Sequence, residues 1–351
     1  MRITINDIAA RAGVSKTTVS FAFNDPRRIS KATCERIMAI AAELGYIPDP
    51  VARTLTTKRI GAIGLLLPQP MHEALKNPYL GELLQGIGAA CLEHESSLLI
   101  VPPIKGQLVD AARRAAADAL MVIGVGPDHS IVELIRKRSM PLLTIDGRPT
   151  DGMANVGIDD EAAAYGLMMH VLGLGHRCIA IVELESESYN DPADRASVVR
   201  DKRMEGFSRA LKEAGIDPHS ADILVHTAAC SLEGGREAAD SVLKSGRATA
   251  VVAMADIVAL GFMERCAERR LRIPEDLSVV AFDDIAISRL VKPGLTTVRQ
   301  PGYRKGYEAG RIVLDMLNGG PSEQVVMPSE LVLRGSSGTV PGDRPRPSGL
   351  P

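Results

Sequence analysis

Three carboxylates and one guanidinium lie at positions where they could hold a polar small molecule. Asp159, Asp256 and Asp283 each follow an apolar segment, and Arg203 opens a predicted helix after a long polar stretch. Carboxylates and a guanidinium that converge on one cleft can form charge-assisted hydrogen bonds to a polyhydroxylated or amide-rich ligand. The chemistry that these residues indicate is therefore recognition of a small polar ligand.

An acidic residue after a strand can instead cap the following helix. We favour that interpretation for Asp160 and Asp284, which stand one position later in the chain. For Asp159, Asp283 and Arg203 we favour a ligand-binding role.

A second set of polar residues lies near the N-terminus, in and around a predicted helix from Lys16 to Asn24. Short polar and basic side chains at the start of such a helix can reach base edges in the DNA major groove. Basic side chains nearby can contact phosphates. The residues that we expect to contact DNA in this region are Thr4, Ser15, Lys16, Thr17, Thr18, Ser20, Phe21, Asn24, Arg28, Ser30 and Tyr46.

No residue pattern in the sequence is typical of a catalytic or metal site. The seven His residues lack metal-ligand spacing, and the five Cys residues are dispersed. Two Gly-x-Gly pairs, at Gly124 and Gly173, lack the third glycine of a dinucleotide-binding loop. We therefore expect no cofactor, no metal and no enzyme activity.

The net charge of −2 is unevenly distributed along the chain. Residues 1–59 carry a formal charge of +5 and the remainder carries −7, as expected for a polyanion-binding head on an acidic body. No apolar run reaches the roughly 18–20 residues of a membrane span, and we detect no leader segment before the first helix. With dispersed, free cysteines, this predicts a cytoplasmic protein that does not contact membranes.

The first 47 residues predict a helix-turn-helix head. Thr4 caps a first helix, Gly13 forms the turn because glycine tolerates positive φ, and Val19 points to a small core. Ser15 caps the second helix, and Ser30 caps a third helix, which ends near Gly45. Helices of this length and spacing are typical of a module that reads the major groove.

From residue 60 onward, apolar strands alternate with amphipathic helices, which predicts parallel sheets covered on both faces. The strands are too many for one sheet, so we expect two doubly wound α/β lobes. The predicted strands are 60–67, 97–101, 119–125, 141–145, 178–183, 222–226, 249–254 and 277–282.

Residues 4–58 resemble the N-terminal domain of the LacI/GalR family of bacterial transcription regulators, through the stretches TINDIAARAGVSKTTVS and ELGYIPDPVARTL. The stretches LGLGHRCIAIVE, KRMEGFSRALKEAG, RIPEDLSVVAFDD and PGLTTVRQP resemble the effector domain of that family. The second resemblance extends to about Gly335 and implies a periplasmic-binding-protein fold.

The resemblance also implies roles for individual residues. Leu55, beside Ala52, would be a minor-groove wedge on a hinge helix, and Arg53 would contact the DNA backbone. Tyr79 and Leu80 would form the wall of the effector site, together with Asp159, Arg203, Asp256 and Asp283.

Two positions depart from the family pattern. Phe21 stands where the family usually has an arginine, so the operator is expected to differ from the usual half-site. Ala255 replaces a frequent asparagine, which removes a partner for sugar hydroxyls. The sequence thus allows a sugar effector but does not indicate one.

We accordingly divide the chain into a DNA-binding head (1–47), a hinge helix or linker (48–59), a two-lobed effector-binding and dimerisation domain (60–335) and a disordered tail (336–351). The predicted function is that of a ligand-responsive homodimeric repressor of a pseudo-palindromic, double-stranded operator. Two alternatives remain open. One is a solute-binding protein of a transport system, and the other is an enzyme with an added helical head.

Overall fold

The structure is a computed structural model that describes residues 3–48, 54, 57–105, 107–185 and 197–340. These residues divide into two compact units, which meet in sequence between Gly61 and Ala62. The predicted hinge residues Ala52, Arg53 and Leu55 lie outside the described residues, as do residues 341–351.

The first unit is a three-helix head. Its helices are α1 (Ile5–Ala12), α2 (Lys16–Asn24) and α3 (Lys31–Glu43), with a 3₁₀ turn at Pro26–Arg28. The bounds of α2 agree with the sequence prediction. The caps also agree, since Ser15 Oγ accepts from the Thr18 amide at 3.1 Å and Ser30 Oγ accepts from the Thr33 amide at 3.2 Å.

The turn and the core of the head follow from local residue choice. Gly13 ends α1 in the left-handed conformation, with φ of 61°, which a glycine adopts without a steric penalty. Ile8, Val19 and Ile37, one from each helix, are fully buried together. The small core therefore holds α2 against α1 and α3 and leaves the N-terminal residues of α2 exposed.

The second unit contains two parallel-sheet lobes. Lobe 1 has the strand order β11-β5-β4-β3-β1-β2, all parallel. Its strands are β1 (Ala62–Leu66), β2 (Ser97–Val101), β3 (Ala119–Ile123), β4 (Leu142–Ile145), β5 (Ala154–Ile158) and β11 (Gln324–Met327). Its helices are α4 (Met71–Ala74), α5 (Pro78–Glu93), α6 (Leu108–Arg114), α7 (Ser130–Lys137) and α12 (Gly302–Leu317).

Lobe 2 has the strand order β12-β10-β9-β8-β6-β7, in which β12 alone is antiparallel to its neighbour. Its strands are β6 (Ile179–Leu184), β7 (Ile223–Ala228), β8 (Ala250–Ala253), β9 (Ser278–Asp283), β10 (Thr296–Arg299) and β12 (Glu330–Val332). Its helices are α8 (Asp160–Gly173), α9 (Val198–Glu213), α10 (Leu232–Ser245) and α11 (Asp256–Glu268).

The chain passes between the lobes three times, after β5, after β10 and after β11. The second passage leads into α12, which packs against α5 of lobe 1. This contact requires glycine, since a Cβ on Gly86 would lie 1.9 Å from the Tyr303 carbonyl oxygen and one on Gly306 would lie 2.1 Å from the Leu83 carbonyl oxygen. The late segment 300–317 is therefore an integral part of lobe 1.

The predicted disordered tail requires a correction at its start. Ser336 is fully buried, and its hydroxyl donates to the Val279 carbonyl at 2.6 Å. The Gly338 amide donates to Ser278 Oγ at 3.0 Å, and the Val340 amide donates to the Leu174 carbonyl at 3.0 Å. Residues 336–340 therefore belong to lobe 2, because they continue its hydrogen bonding beyond the predicted boundary at 335.

Candidate functional site

A cavity of about 220 Å³ lies between the carboxyl ends of the strands of the two lobes. Parallel α/β sheets place ligands at such an edge. Four of the six residues predicted to contact an effector line this cavity, namely Tyr79, Leu80, Arg203 and Asp283. The apolar part of its wall includes Leu80, Leu83, Ile123, Val125, Leu184 and Met254.

Tyr79 enters the cavity from the start of α5. Asn77 caps this helix by accepting the Tyr79 amide at 3.0 Å, and Pro78 occupies the first helical position, where proline is well tolerated. The Tyr79 phenol oxygen is buried and has no hydrogen-bond partner among the described residues. Burial, with the nearby charge of Asp146, raises the pKa of the phenol well above its usual value.

Asp283 is the last residue of β9 and is 4% exposed. Its φ of 123° lies in a region that side-chain-bearing residues rarely adopt, and such strain is concentrated at functional sites. Oδ1 accepts from Gln300 Nε2 at 2.6 Å, whereas Oδ2 has no partner among the described residues. Burial, with the charge of Asp256, raises the pKa of Asp283 to about 8.

Arg203 lies in the second turn of α9, not at the start of a helix as predicted, because α9 begins at Val198. Its Nε donates to Asp160 Oδ1 at 2.8 Å, and its Nη1 donates to the Met254 carbonyl at 2.6 Å. The guanidinium carbon lies 4.0 Å from the centroid of the Phe282 ring. Arg203 therefore reaches the cavity as a fixed and largely neutralised cation.

The roles predicted for Asp159 and Asp160 are reversed in the structure. Asp159 is exposed and caps α8 by accepting the Ala162 amide at 3.0 Å. Asp160 is 1% exposed and forms the ion pair with Arg203. Burial raises the pKa of Asp160, while Arg203 opposes that shift. Asp159 is thus the helix cap, and Asp160 holds Arg203 in place at the cavity.

Asp256 lies beside the cavity lining but is not part of it. It is fully buried, and it accepts hydrogen bonds from the Ile285 amide, the Ser288 hydroxyl and the Thr297 hydroxyl at 3.0, 2.5 and 2.5 Å. These bonds hold the segment after β9 in place, so Asp256 is a structural residue in this fold. Burial raises its pKa to about 6.

Asp284, predicted to cap a helix, is a centre of ion pairs instead. It accepts from Arg299 Nε at 2.7 Å and from Arg334 Nη2 at 2.5 Å. Its carboxylate therefore ties β10 and the segment after β12 to the end of β9.

A buried polar chain that no local sequence pattern predicted lies beside the cavity. Lys305, in α12, is fully buried and donates to both oxygens of Asp146 and to Gln300 Oε1. Gln300 in turn donates to Asp283. Because Asp146 belongs to lobe 1 and Asp283 to lobe 2, this chain of hydrogen bonds connects the two lobes.

In the head, the exposed end of α2 presents Ser15, Lys16 and Thr17. Thr18, Ser20, Phe21, Asn24 and Tyr46 are half-buried. Thr4 is exposed, and its backbone amide and hydroxyl both donate to Asp7 at 2.8 Å, which lowers the pKa of Asp7.

Phe21 and Arg28 meet on the same surface. The Arg28 guanidinium lies 5.2 Å from the centroid of the Phe21 ring and donates to Asp25 at 3.0 Å. Phe21, which replaces the arginine that is usual in the family, therefore packs against another arginine, Arg28.

Comparisons with known proteins agree with this arrangement. Residues 4–49 match the model of bacterial regulatory proteins of the lacI family, and residues 168–337 match a periplasmic binding protein-like domain. The chain is 34% identical over 348 residues to the HTH-type transcriptional regulator Rv3575c of Mycobacterium tuberculosis, with 94% of this chain and 96% of that protein covered.

The chain belongs to the LacI family of bacterial regulatory proteins. It is a DNA-binding transcription regulator, as the sequence predicted. Among solved structures it is similar to the Lac repressor bound to ONPG in a repressed state, with 26% identity, a TM-score of 0.77 and coverage of 96% and 100% of the two chains. It is also similar to a LacI family regulator from Enterococcus faecium with bound ribose, with 27% identity, a TM-score of 0.66 and coverage of 80% and 99%.

The described residues contain neither a candidate membrane span nor a candidate metal site. No helix there is long and apolar enough to span a bilayer. No group of three or more His, Cys, Asp or Glu side chains in the same part of the chain could hold a metal ion.

Proposed function

We propose that this LacI-family protein is a homodimeric repressor whose affinity for a pseudo-palindromic operator is set by a small molecule in the cavity between its lobes. The observation that carries the proposal is that Tyr79 and Asp283, from different lobes, both line this cavity, while Tyr79 Oη and Asp283 Oδ2 are buried without protein partners among the described residues. Buried polar atoms are costly without a partner, so a bound molecule that reaches these atoms would gain by supplying one.

The lobe connections support an effect of ligand on conformation. Three separate passages join the lobes, and the hydrogen-bonded chain from Asp146 through Lys305 and Gln300 to Asp283 crosses between them. Hinge motion about such short connections is a common switching mechanism. A ligand that contacts Tyr79 of lobe 1 and Asp283 of lobe 2 favours one relative position of the lobes.

In the head, α2 is the proposed reading helix. We infer that Lys16, Thr17 and Ser20 reach base edges and that Arg27 and Arg28 contact phosphates. The predicted wedge role of Leu55, with Ala52 and Arg53 beside it, is part of the same proposal. Reciprocal linkage then requires operator DNA to change effector affinity by the same factor as effector changes operator affinity.

The proposal is tested by screening uncharged and charged metabolites for a thermal shift of the full chain. Each molecule that binds is then added to an anisotropy titration with a DNA sequence selected by the protein. We expect a cavity ligand to change operator affinity at least about fivefold, the lower end of typical coupling. A ligand that raises the melting temperature through the cavity but leaves operator affinity unchanged would contradict the proposed coupling.

A further inference from the structure

Basic residues gather at the amino ends of two strands of lobe 1, next to the strand by which the chain enters this lobe. In the sheet, β3 lies between β1 and β4. The Asp118 amide donates to the Ala62 carbonyl at 2.8 Å, and the Leu120 amide donates to the Pro141 carbonyl at 3.0 Å, so the three strands start side by side. The basic residues that precede β3 and β4, which we call the basic edge, are Arg113, Arg114, Arg136, Lys137 and Arg138.

A hydrogen bond fixes the two halves of the basic edge to each other. Arg138 Nη1 donates to the Ala112 carbonyl at 2.9 Å, and Ala112 directly precedes Arg113 and Arg114, the last two residues of α6. The last two residues of α7 are also basic. All five residues of the basic edge are exposed, so solvent or a partner can reach each of them.

Most of the positive charge of the basic edge is not neutralised. Arg113 pairs with Asp110 at 3.3 Å, and Lys137 pairs with Glu133 at 2.6 Å. Exposed pairs of this kind are weak. The other three cations form no ion pair within the described part of the chain. Asp118, which precedes β3, is half-buried and offsets one charge. The edge is therefore a positive surface on a body that carries a formal charge of −7.

Basic residues in the last turn of a helix also have a structural explanation, because they interact favourably with the helix dipole. In lobe 2, α9 and α10 each have one such residue, Lys212 and Lys244. By contrast, α6 ends with two basic residues, and α7 ends with two more and is followed by Arg138. The basic edge therefore contains more positive charge than the helix ends require.

The point at which the chain enters lobe 1 favours duplex DNA as the partner of the basic edge. The head belongs to a DNA-binding family, and β1 begins at Ala62. The thirteen residues 49–61 between them can span at most roughly 45 Å, and they include three basic residues and one acidic residue. DNA held by the head is therefore tethered to the edge of lobe 1 at which β1 starts. Tethering gives weak phosphate contacts a high effective concentration.

We propose that the basic edge of lobe 1 binds the phosphate backbone of the DNA that the head recognises. Its guanidinium and ammonium groups pair with phosphate oxygens and read no bases, so the contact adds affinity without changing sequence preference. An acidic protein would be attracted by the same charge, but nothing in the chain tethers such a protein there. The contact goes beyond the proposed effector response and does not depend on it.

The first test measures DNA binding by the full chain as a function of salt, with no small molecule added. The probes are duplexes of about 40 base pairs, roughly 140 Å long, that carry either the selected sequence or a scrambled one. The test variant is Arg114→Ala/Arg136→Ala/Lys137→Ala. The control, Lys212→Ala/Lys244→Ala/Arg270→Ala, removes three exposed charges from lobe 2, two of them also in last helical turns.

We expect the test variant to lower the slope of log Kd against log salt by about 2–3. Its affinity at about 50 mM salt should fall at least about tenfold on both duplexes, while the base preference stays unchanged. The control should bind within about twofold of wild type. The melting temperatures of both variants should match wild type, because every substituted side chain is exposed.

The second test locates the contact by phosphate ethylation interference, since an ethylated phosphate carries no charge. Some ethylated positions should weaken binding by wild type and have no effect on the test variant. These positions should differ from those that lose their effect in Arg27→Ala, a variant of the head.

Two results overturn the inference. One is a test variant with the affinity, salt slope and interference pattern of wild type, in which case the basic edge serves a partner other than DNA. The other is a control variant that loses as much slope as the test variant, because any surface cation would then have the same effect. Both results are obtained without a ligand, so neither is confused with failure of the proposed effector response.

Discussion

Lys305 Nζ lies 2.7 Å from Oδ1 and 2.9 Å from Oδ2 of Asp146. The ammonium is fully buried and Asp146 is 8% exposed, so neither charge is well hydrated. The two residues are separated by 159 positions in the chain, and their contact brings α12 to the end of β4. This ion pair therefore joins α12 to the first half of lobe 1, at the end of β4.

Removal of one partner of this pair should destabilise the protein strongly. Asp146→Asn leaves the Lys305 ammonium buried without its counter-charge, which typically costs about 3–5 kcal/mol. Urea unfolding followed by circular dichroism measures the change. Asp151→Asn, at an exposed position of lobe 1, is the control and should stay within about 0.5 kcal/mol of wild type.

The double variant Asp146→Leu/Lys305→Met tests the cause of that loss. It removes both charges and keeps apolar volume, so it should recover most of the stability lost in Asp146→Asn. A double variant that is less stable than Asp146→Asn would contradict the explanation by an unpaired charge.

Two glycines of α5 offer a matched test of the contact between α5 and α12. Gly86→Ala places a methyl group 1.9 Å from the Tyr303 carbonyl oxygen, whereas a Cβ on Gly88 meets no atom within 4 Å. Overpacking of this kind costs about 1–3 kcal/mol or more, and Gly88→Ala should be neutral or stabilising by roughly 0.5–1 kcal/mol. Thermal unfolding of the two variants measures the difference, and equal stabilities would show that the helices can separate freely.

The raised pKa of Asp283 should make stability depend on pH in a defined direction. A free aspartate has a pKa of about 3.9, whereas Asp283 in the folded protein has a pKa of about 8. Between these values the folded state holds a proton that the unfolded state has lost, so stability falls as pH rises, by up to about 1.4 kcal/mol per pH unit. Above about pH 8 this contribution no longer changes.

Asp283→Asn should remove that part of the pH dependence, which urea unfolding at several pH values between about 5 and 9 measures. Asp256, with a pKa of about 6, adds a slope of the same sign below that pH in both proteins. Parallel stability profiles for wild type and Asp283→Asn would show that Asp283 is ionised in the folded state.

Base reading and phosphate contact should be separable in the head. Lys16 is exposed at the start of α2, and Arg27 is exposed in the following turn. We expect Lys16→Ala to relax base preference at about one position with a loss of roughly 1–3 kcal/mol, and Arg27→Ala to weaken binding uniformly and lower the salt slope by about 1. Sequence selection with each variant tests this, and an unchanged preference for Lys16→Ala would exclude base contact by Lys16.

The head could be predicted well because its signals are local. The caps Ser15 and Ser30 and the left-handed Gly13 each act within a few residues, and the structure confirms all three. The alternation of strands and helices in the body also predicted two parallel-sheet lobes. These features depend on short-range periodicity and backbone preferences, which a single sequence contains.

The polar arrangement of the cavity could be predicted only in part because its contacts join distant segments. Asp159 and Asp160 are adjacent and chemically identical, and only the position of Arg203 in α9 makes Asp160 the buried partner. Lys305 lies in an amphipathic helix without any local signal of burial. Its counter-ion Asp146 lies 159 positions earlier in the chain, so the pair becomes visible only once α12 is placed on lobe 1.

We propose that α2 reads a symmetric DNA site with an affinity that the cavity ligand controls. The most direct measurement is footprinting of the full chain on its selected DNA sequence, with and without the best-binding cavity ligand. We expect two protected half-sites related by a dyad, centred about one helical turn or a multiple apart, with occupancy that changes when the ligand is added. Protection without dyad symmetry, or protection that no cavity ligand alters, would contradict it.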